Sequence, residues 1–537
     1  MKPINIEESK VPSPPSDMLL KRDDLILVAA GSGTCLRELY YRALKYNKLH
    51  QLIMCRTTND DYTFGTAEEK IIACIRQAAK IPGVQVIVLY LNCLDILIRL
   101  DFDYIEGLLS HETGVTVRCF FRGPLAKMDV GHYMNADEFM ASLPQEKGNV
   151  EAVNYQLPLL ATDISGVVDC FENSTDVNVL VAPSGCRACL RDSDLSFAAK
   201  EQYYVEFKQD DYIFGLEDTC VQQCRLLIEN KHYKSMNLIS SAVGAFIGLD
   251  GVGIASDLES DYLKVRNFAL DGFKDAVYGI DCAQKLLVEQ EAVYYCTPSK
   301  DVLILGYSSL ACGSKKQYEA CLDYIKKIGY RPRFLGISSA SGRPSMCWIV
   351  SSAGIGAGQE LYEKYGVPLL ISCPVGEHAF KMWKKNVKEL CENKSEERRQ
   401  LCIHNYDLNE KDTRRLLFIG DPVQTMGLAH YMWHVGFQHV KLAVPCMDRE
   451  SKVIYKQSPG ADKFLNFIED YSDLKALVES SDIVVADSKI ISIAPTLCEN
   501  KETIAFPWGI ISGRTALADD GGALGTYILK KLQGIIC

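Results

Sequence analysis

Short apolar runs rich in Val, Ile and Leu alternate along the chain with stretches of helical period. The runs are 24–30 (DLILVAA), 84–91 (VQVIVLYL), 177–182 (VNVLVA), 301–307 (DVLILGY), 414–421 (RRLLFIGD), 440–445 (VKLAVP) and 481–488 (SDIVVADS). They are apolar at successive positions rather than alternate ones, the pattern of parallel strands covered on both faces. Between them lie helical segments such as 66–80 (TAEEKIIACIRQAAK) and 315–329 (KKQYEACLDYIKKIG). The first puts Ile71, Cys74, Ile75 and Ala78 on one face, and Thr66 with Glu69 has the spacing of a capping box. This alternation predicts an α/β protein of several doubly wound, Rossmann-like parallel-sheet domains. Charge and polarity rise near 140–160, 283–300 and 392–413, where linkers are expected.

The pattern also repeats. A strand followed by GSGTC (31–35) and DDYTFG (60–65) has a second version in a strand followed by PSGC (183–186) and DDYIFG (210–215). From the cysteine to the second glycine is 30 residues in one and 29 in the other. Each continues through a helix and a strand to a related segment, ILIRLDFD (96–103) against AFIGLDGV (245–252). Ordered elements at near-equal spacing point to two copies of one sheet-and-helix module. Two further modules follow. One ends in QELYEKYG (359–366) and VPLLISCPVG (367–376); the other runs from RRLLFIGDP (414–422) through LAHYMWHVG (428–436) to AFPWGIISGRT (505–515). The expected division is a tail (1–23), first copy (24–150), second copy (151–295), second α/β domain (296–400) and third α/β domain (401–537).

Composition narrows the function. A chain of 537 residues needs several cores. Its 47% apolar and 24% charged residues are ordinary for a globular protein. The net charge of −11 argues against a nucleic-acid partner, which requires clustered Lys and Arg. No apolar run reaches the roughly 18–20 residues of a membrane span. The N-terminal MKPINIEESKVPSPPSD reads as neither signal nor transit peptide, so the cytoplasm is the expected compartment. GSGTC lacks the spacing of a dinucleotide fingerprint and no Walker sequence is present, so nucleotide is not expected on this chain. The 21 cysteines are scattered through apolar segments and show no paired CxxC motifs, which leaves buried thiols or soft-metal ligation.

In this order the modules resemble the nitrogenase component 1-type oxidoreductases, including the protochlorophyllide reductase subunits. APSGCRACLR (182–191), DDYIFGLEDT (210–219) and AFIGLDG (245–251), with ATDISGVVD (161–169) upstream, are similar to the family's first domain. GSGTCLREL (31–39), TFGTAEEKI (63–71) and NCLDILIRLD (92–101) are similar to it again, a duplicated first domain. ELYEKYGVPLLISCPVG (360–376) resembles a passage of the second domain, and RRLLFIGDPVQTMGLAHYMWHVGF (414–437) the opening of the third.

The resemblance implies an iron–sulfur cluster of 4Fe–4S type held by first-domain cysteines. The turn cysteine corresponds to Cys35 and Cys186, and the strand-end cysteine to Cys93, whose place in the second copy is taken by Ala242. Cys170, sixteen residues before Cys186, stands loosely for the family's upstream cysteine. The metal-ligand set is therefore Cys35, Cys93 and Cys186, with Cys170 as a fourth cofactor-binding candidate. Cys189 is expected to be a helix thiol, and Arg187 and Arg191 either offset cluster charge or are solvated. The large cofactor of nitrogenase is not expected: its cysteine position falls on Val350, with Cys347 three residues early, and 505–530 holds no histidine. His378 reads as a surface or capping residue, and His430 and His434 as ordinary helix residues. The resemblance implies an oxidoreductase that passes electrons through the cluster to a small substrate other than dinitrogen. The electrons would come from an ATP-dependent iron–sulfur reductase, and a homo- or hetero-oligomer is a further expectation. The alternatives are a cluster-free scaffold or carrier in cofactor maturation, and a small-molecule binding protein.

Overall fold

Each long apolar run becomes a strand of a parallel sheet. The computed structural model describes residues 15–121, 125–128, 133–151, 156–171, 176–183, 186, 202–231, 233–336, 340–392, 398–400, 412–493, 495–513 and 522–536. The chain forms two compact units: Met1–Leu159 with Thr175–Ser193 and Ala199–Phe273, and Leu160–Ser174 with Asp194–Ala198 and Lys274–Cys537.

The first unit holds two four-stranded sheets. Strands β1 (Leu25–Gly31), β2 (Leu52–Arg56), β3 (Val86–Leu91) and β4 (Thr116–Phe121) lie in the order β2-β1-β3-β4. Strands β5 (Val177–Val181), β6 (Gln202–Tyr204), β7 (Ser235–Ser240) and β8 (Lys264–Phe268) lie in the order β6-β5-β7-β8. Every pairing is parallel. Strand β1 is buried along its whole length: Ile26, Val28 and Ala30 enter the core on one face, Leu25, Leu27 and Ala29 that on the other.

The two sheets also agree in detail. Asp101 caps helix Phe102–Thr113 by accepting the Tyr104 N–H at 3.0 Å, and Asp250 caps helix Gly251–Leu258 by accepting the Gly253 N–H at 2.8 Å. Two residues before each cap the backbone turns left-handed, at Arg99 (φ 53°) and at Gly248 (φ 77°). Asp61 accepts the Thr66 hydroxyl at 2.9 Å, and Asp211 the Thr219 hydroxyl at 2.8 Å. Thr66 therefore does not form the expected capping box with Glu69. Its backbone is helical rather than extended and its side chain caps nothing; the box belongs to Thr58 and Asp61, on the short helix Asn59–Phe64.

The second unit holds two five-stranded parallel sheets. The first contains β9 (Asp301–Leu305), β10 (Arg331–Phe334), β11 (Met346–Ile349), β12 (Leu369–Ile371) and β13 (Arg398–Gln400), in the order β10-β9-β11-β12-β13. The second contains β14 (Asp412–Ile419), β15 (Phe437–Pro445), β16 (Leu465–Ile468), β17 (Ile483–Ala486) and β18 (Glu502–Ala505), in the order β16-β15-β14-β17-β18. Helix Ala276–Glu291 packs closely on helix Asp163–Cys170, because glycines stand at the crossing. A Cβ on Gly279 would lie 2.0 Å from the Asp163 carbonyl oxygen, and one on Gly166 2.3 Å from that of Ala276. The first half of the stretch expected to be a linker at 283–300 is the end of this long helix, with Ala283, Gln284, Leu287 and Val288 buried. Among the described residues, no helix is long and apolar enough to cross a membrane.

Candidate functional site

The C-terminal ends of the first unit's central strands carry the three proposed cluster cysteines. Cys35 is the third residue of helix Gly33–Lys45, which leaves β1. Cys93 is the first residue of helix Cys93–Leu97, which leaves β3. Cys186 is helical and follows β5, its N–H donating to the Pro183 carbonyl at 3.0 Å. All three side chains are half-buried. First-turn positions at strand ends surround a bound group with backbone N–H and favour negative charge there.

The turn before Cys35 depends on glycine. Gly31 adopts φ 136°, and a Cβ there would come within 2.8 Å of the Asn92 amide nitrogen. Asn92 is the cap of the Cys93 helix. Its side chain accepts from the Leu94 N–H at 2.7 Å and donates to the Ala30 carbonyl at 3.1 Å, tying the Cys93 turn to the end of β1. Asp95, fully buried, completes the box by accepting from the Asn92 N–H at 2.9 Å and the Asn92 amide at 2.7 Å. The Tyr62 hydroxyl donates to Asp95 at 2.9 Å.

The two modules meet at these turns. Helix Cys93–Leu97 packs against its counterpart Ala242–Phe246. Tyr62, Ala67, Leu94 and Val243 form one apolar cluster, against which Cys93, Tyr212, Ala242 and Phe273 also pack. Tyr62 of the first module has its ring centroid 6.5 Å from that of Phe246 in the second. The Thr34 N–H, next to Cys35, donates to the Gly272 carbonyl at 3.4 Å, one residue before Phe273. Burial first, then the nearby Cys93 and Cys186 thiols, and then the Asp211 carboxylate push the Tyr212 phenol above its ordinary value. Cys93 and Tyr212 pack against the same apolar cluster, Cys186 lies within electrostatic reach of that tyrosine, and the Thr34 N–H beside Cys35 bonds to the segment that also packs there. Sequence reasoning had not singled out Tyr212 or the Asn92–Asp95 pair; the signal for the tyrosine was its place in both DDY segments.

Cys170 belongs to the other unit, as the last residue of helix Asp163–Cys170. Burial, the Asp169 carboxylate and the Cys312 thiol push its thiol well up. Cys189, Arg187 and Arg191 lie outside the described residues. Cys347 is fully buried within β11, where burial pushes its thiol up, and Val350 is buried just beyond that strand. Many other cysteines are core thiols, among them Cys220, Cys224, Cys321 and Cys373. The three histidines come together more closely than their spacing suggested. His378 and His434 stack with ring centroids 4.2 Å apart, and with His430 they line a cavity of about 330 Å³ in the second unit.

The family model for nitrogenase component 1 type oxidoreductases matches residues 169–507, more than half of the chain. The chain belongs to this family. The solved structure of nitrogenase Cp1 at pH 6.5 is similar, with a TM-score of 0.52 and 13% identity, over 74% of this chain and 96% of that one. Nitrogenase Cp1 at pH 5 aligns at a TM-score of 0.49 and 12% identity, over 73% of this chain and 91% of that one. No curated protein sequence matches. The expected α/β, Rossmann-like architecture is borne out by the four parallel sheets and by this component 1-like fold. The family match covers the sheets of β5 to β18 and leaves out that of β1 to β4.

Proposed function

We propose that this member of the nitrogenase component 1 type passes electrons to a small substrate other than dinitrogen through an iron–sulfur cluster held by Cys35, Cys93 and Cys186. The β1–β4 module is, in this reading, a second copy of the family's first domain, and the meeting of the two copies builds the site. The observation that carries the proposal is the placement of Cys35, Cys93 and Cys186 just after β1, β3 and β5, with the Cys93 helix packed against helix Ala242–Phe246. The donor set fits the group: three half-buried thiols just after parallel strands, two of them in first helical turns, beside a glycine turn that opens backbone to a ligand. A bound cluster supplies one-electron transfer. The chain contributes the rest. Burial holds the Tyr212 phenol above its ordinary value, so it keeps its proton at neutral pH and is available as a hydrogen-bond donor. The apolar cluster around Tyr62, Leu94 and Val243 limits water.

The reductase partner would dock on the same unit. Phe64 and Phe214, matched residues of the two DDY segments, are 76% and 86% exposed. Exposed apolar side chains of that size are the usual anchors of an interface. Replacing both by alanine is expected to leave iron content unchanged while slowing ATP-driven reduction by a nitrogenase-type iron protein; an unchanged rate removes this docking site.

Anaerobic purification with iron and sulfide analysis tests the cluster itself. Brown protein with iron and sulfide in equal amounts is the expected result. Colourless protein after anaerobic reconstitution favours the cluster-free scaffold reading, to which the alanine at position 242 already lends weight, since a cysteine there would complete a symmetric set.

A further inference from the structure

We infer that Asp275, Cys446 and Asp448, in the second unit, form a binding site for one divalent transition-metal ion, separate from the three cluster cysteines. One carboxylate oxygen from each aspartate and the Cys446 Sγ all lie within 4.8 Å of one another. Asp275 and Cys446 are 3% and 1% exposed, and Asp448 is half-buried. The residues come from two parts of the chain: Asp275 precedes helix Ala276–Glu291, while Cys446 follows β15 and Asp448, two residues on, caps helix Arg449–Lys456.

The Asp448 carboxylate is held in place and retains capacity for a metal. Asp448 accepts from the Asp275 N–H at 3.0 Å through one oxygen and from the Ser451 N–H at 2.7 Å through the other. Each oxygen keeps a further lone pair. Asp275 stands at the N-cap of its helix, but its side chain makes no capping bond. The Cys446 thiol donates to the Asp448 carbonyl at 3.4 Å, so the sulfur already points along the connection that carries the second carboxylate.

One further group marks the place as a ligand site rather than an acidic cluster. The Tyr455 hydroxyl is fully buried and has no hydrogen-bond partner among the described residues. Tyr455 lies within electrostatic reach of Asp275, Cys446, Asp421 and Asp448. Buried hydroxyls are nearly always satisfied, and a metal or its bound water would satisfy this one.

The donor set selects the ion. A thiolate disfavours magnesium and calcium, which take oxygen ligands, and two carboxylates disfavour copper(I), which takes soft sulfur ligands. Zinc, ferrous iron and cobalt(II) accept one sulfur with two carboxylate oxygens, leaving the fourth position to water or to Tyr455. Binding replaces the S–H bond of Cys446 by a sulfur–metal bond and releases that proton to solvent.

Cobalt(II) is the probe. The full chain, stripped with chelator and kept anaerobic, is titrated with Co²⁺ while thiolate-to-cobalt absorption and proton release are followed. Wild-type and Cys186→Ala protein are both expected to share one equivalent of thiolate-bound cobalt that Cys446→Ser lacks. Asp275→Asn, which keeps the side chain's shape, is expected to bind that equivalent at least about tenfold more weakly, a typical loss for a perturbed metal site. The proposal is overturned if Cys446→Ser keeps the full wild-type signal, if Cys186→Ala loses the equivalent, or if wild type binds none. Should Cys446→Ser fail to fold, unchanged cobalt affinity in Asp275→Asn overturns it equally.

Discussion

Replacing Cys186 by alanine is expected to leave anaerobically purified protein without iron and without brown colour, in a chain that stays folded. The side chain is half-buried, so its loss opens little cavity and the cost to stability is about 1 kcal/mol, roughly that of one buried methylene-sized group. The cost to a cluster is expected to be far greater, because the proposed ligand set takes only Cys186 from the second module. Cys93→Ala is expected to behave in the same way. Cys170→Ala is expected to retain iron, since its thiol stands with Asp169 and Cys312 in the second unit. The reverse substitution is more telling. Ala242 heads the helix that packs against the Cys93 helix, at the position matching Cys93. Ala242→Cys is expected to raise iron retention under mild chelation by adding a fourth thiol. Iron per chain and visible absorption are the measurements. Wild-type iron content in Cys186→Ala removes the ligand assignment.

Much of this fold is visible in the sequence, because the inner strands are buried on both faces and need continuous apolar runs. β1, β3 and β9 fall almost where their runs lie. The edge strands do not show. β6 (QYY), β10 (RPRF) and β13 (RRQ) are short and polar, and among the described residues each pairs on one side only, so the neighbouring strand rather than local composition makes them extended. The capping box was misplaced for a similar reason. Thr66 has the right neighbour at the right spacing, but Asp61 draws its hydroxyl away. The charges of helix Ala276–Glu291 suggested a linker, whereas its buried face packs against helix Asp163–Cys170. The candidate cysteines were legible in part because the two similar segments place Cys35 and Cys186 alike after a strand, whereas Cys93 is matched by Ala242. Asp275, Cys446 and Asp448 were not, since the fold alone brings the first to the other two.

The largest expected loss of stability follows from Asp95. This carboxylate is fully buried and receives the Asn92 N–H, the Asn92 amide and the Tyr62 hydroxyl. Alanine leaves those donors in a site closed to water. Donors to a buried charged group are worth about 1.5–3 kcal/mol each, and breaking such a set costs about 3–5 kcal/mol in all, since the losses overlap. Asp95→Asn keeps the shape and one acceptor oxygen, so its cost is expected to be smaller. The second module has Gly244 at the matching position and Ser241 in place of Asn92, and the Ser241 side chain makes no capping bond. The network thus accompanies the module that has a cysteine at the head of its short helix. Its loss is expected to loosen the Cys93 turn as well as to lower stability, because Asn92 is held between Asp95 and the end of β1. Urea unfolding of Asp95→Ala, Asp95→Asn and wild type, followed by tyrosine fluorescence, measures the first effect, and iron retention per folded chain the second. A loss below about 1 kcal/mol in Asp95→Ala, the size of one ordinary hydrogen bond, would show that Asn92 and Tyr62 find other partners and that the carboxylate does not position Cys93.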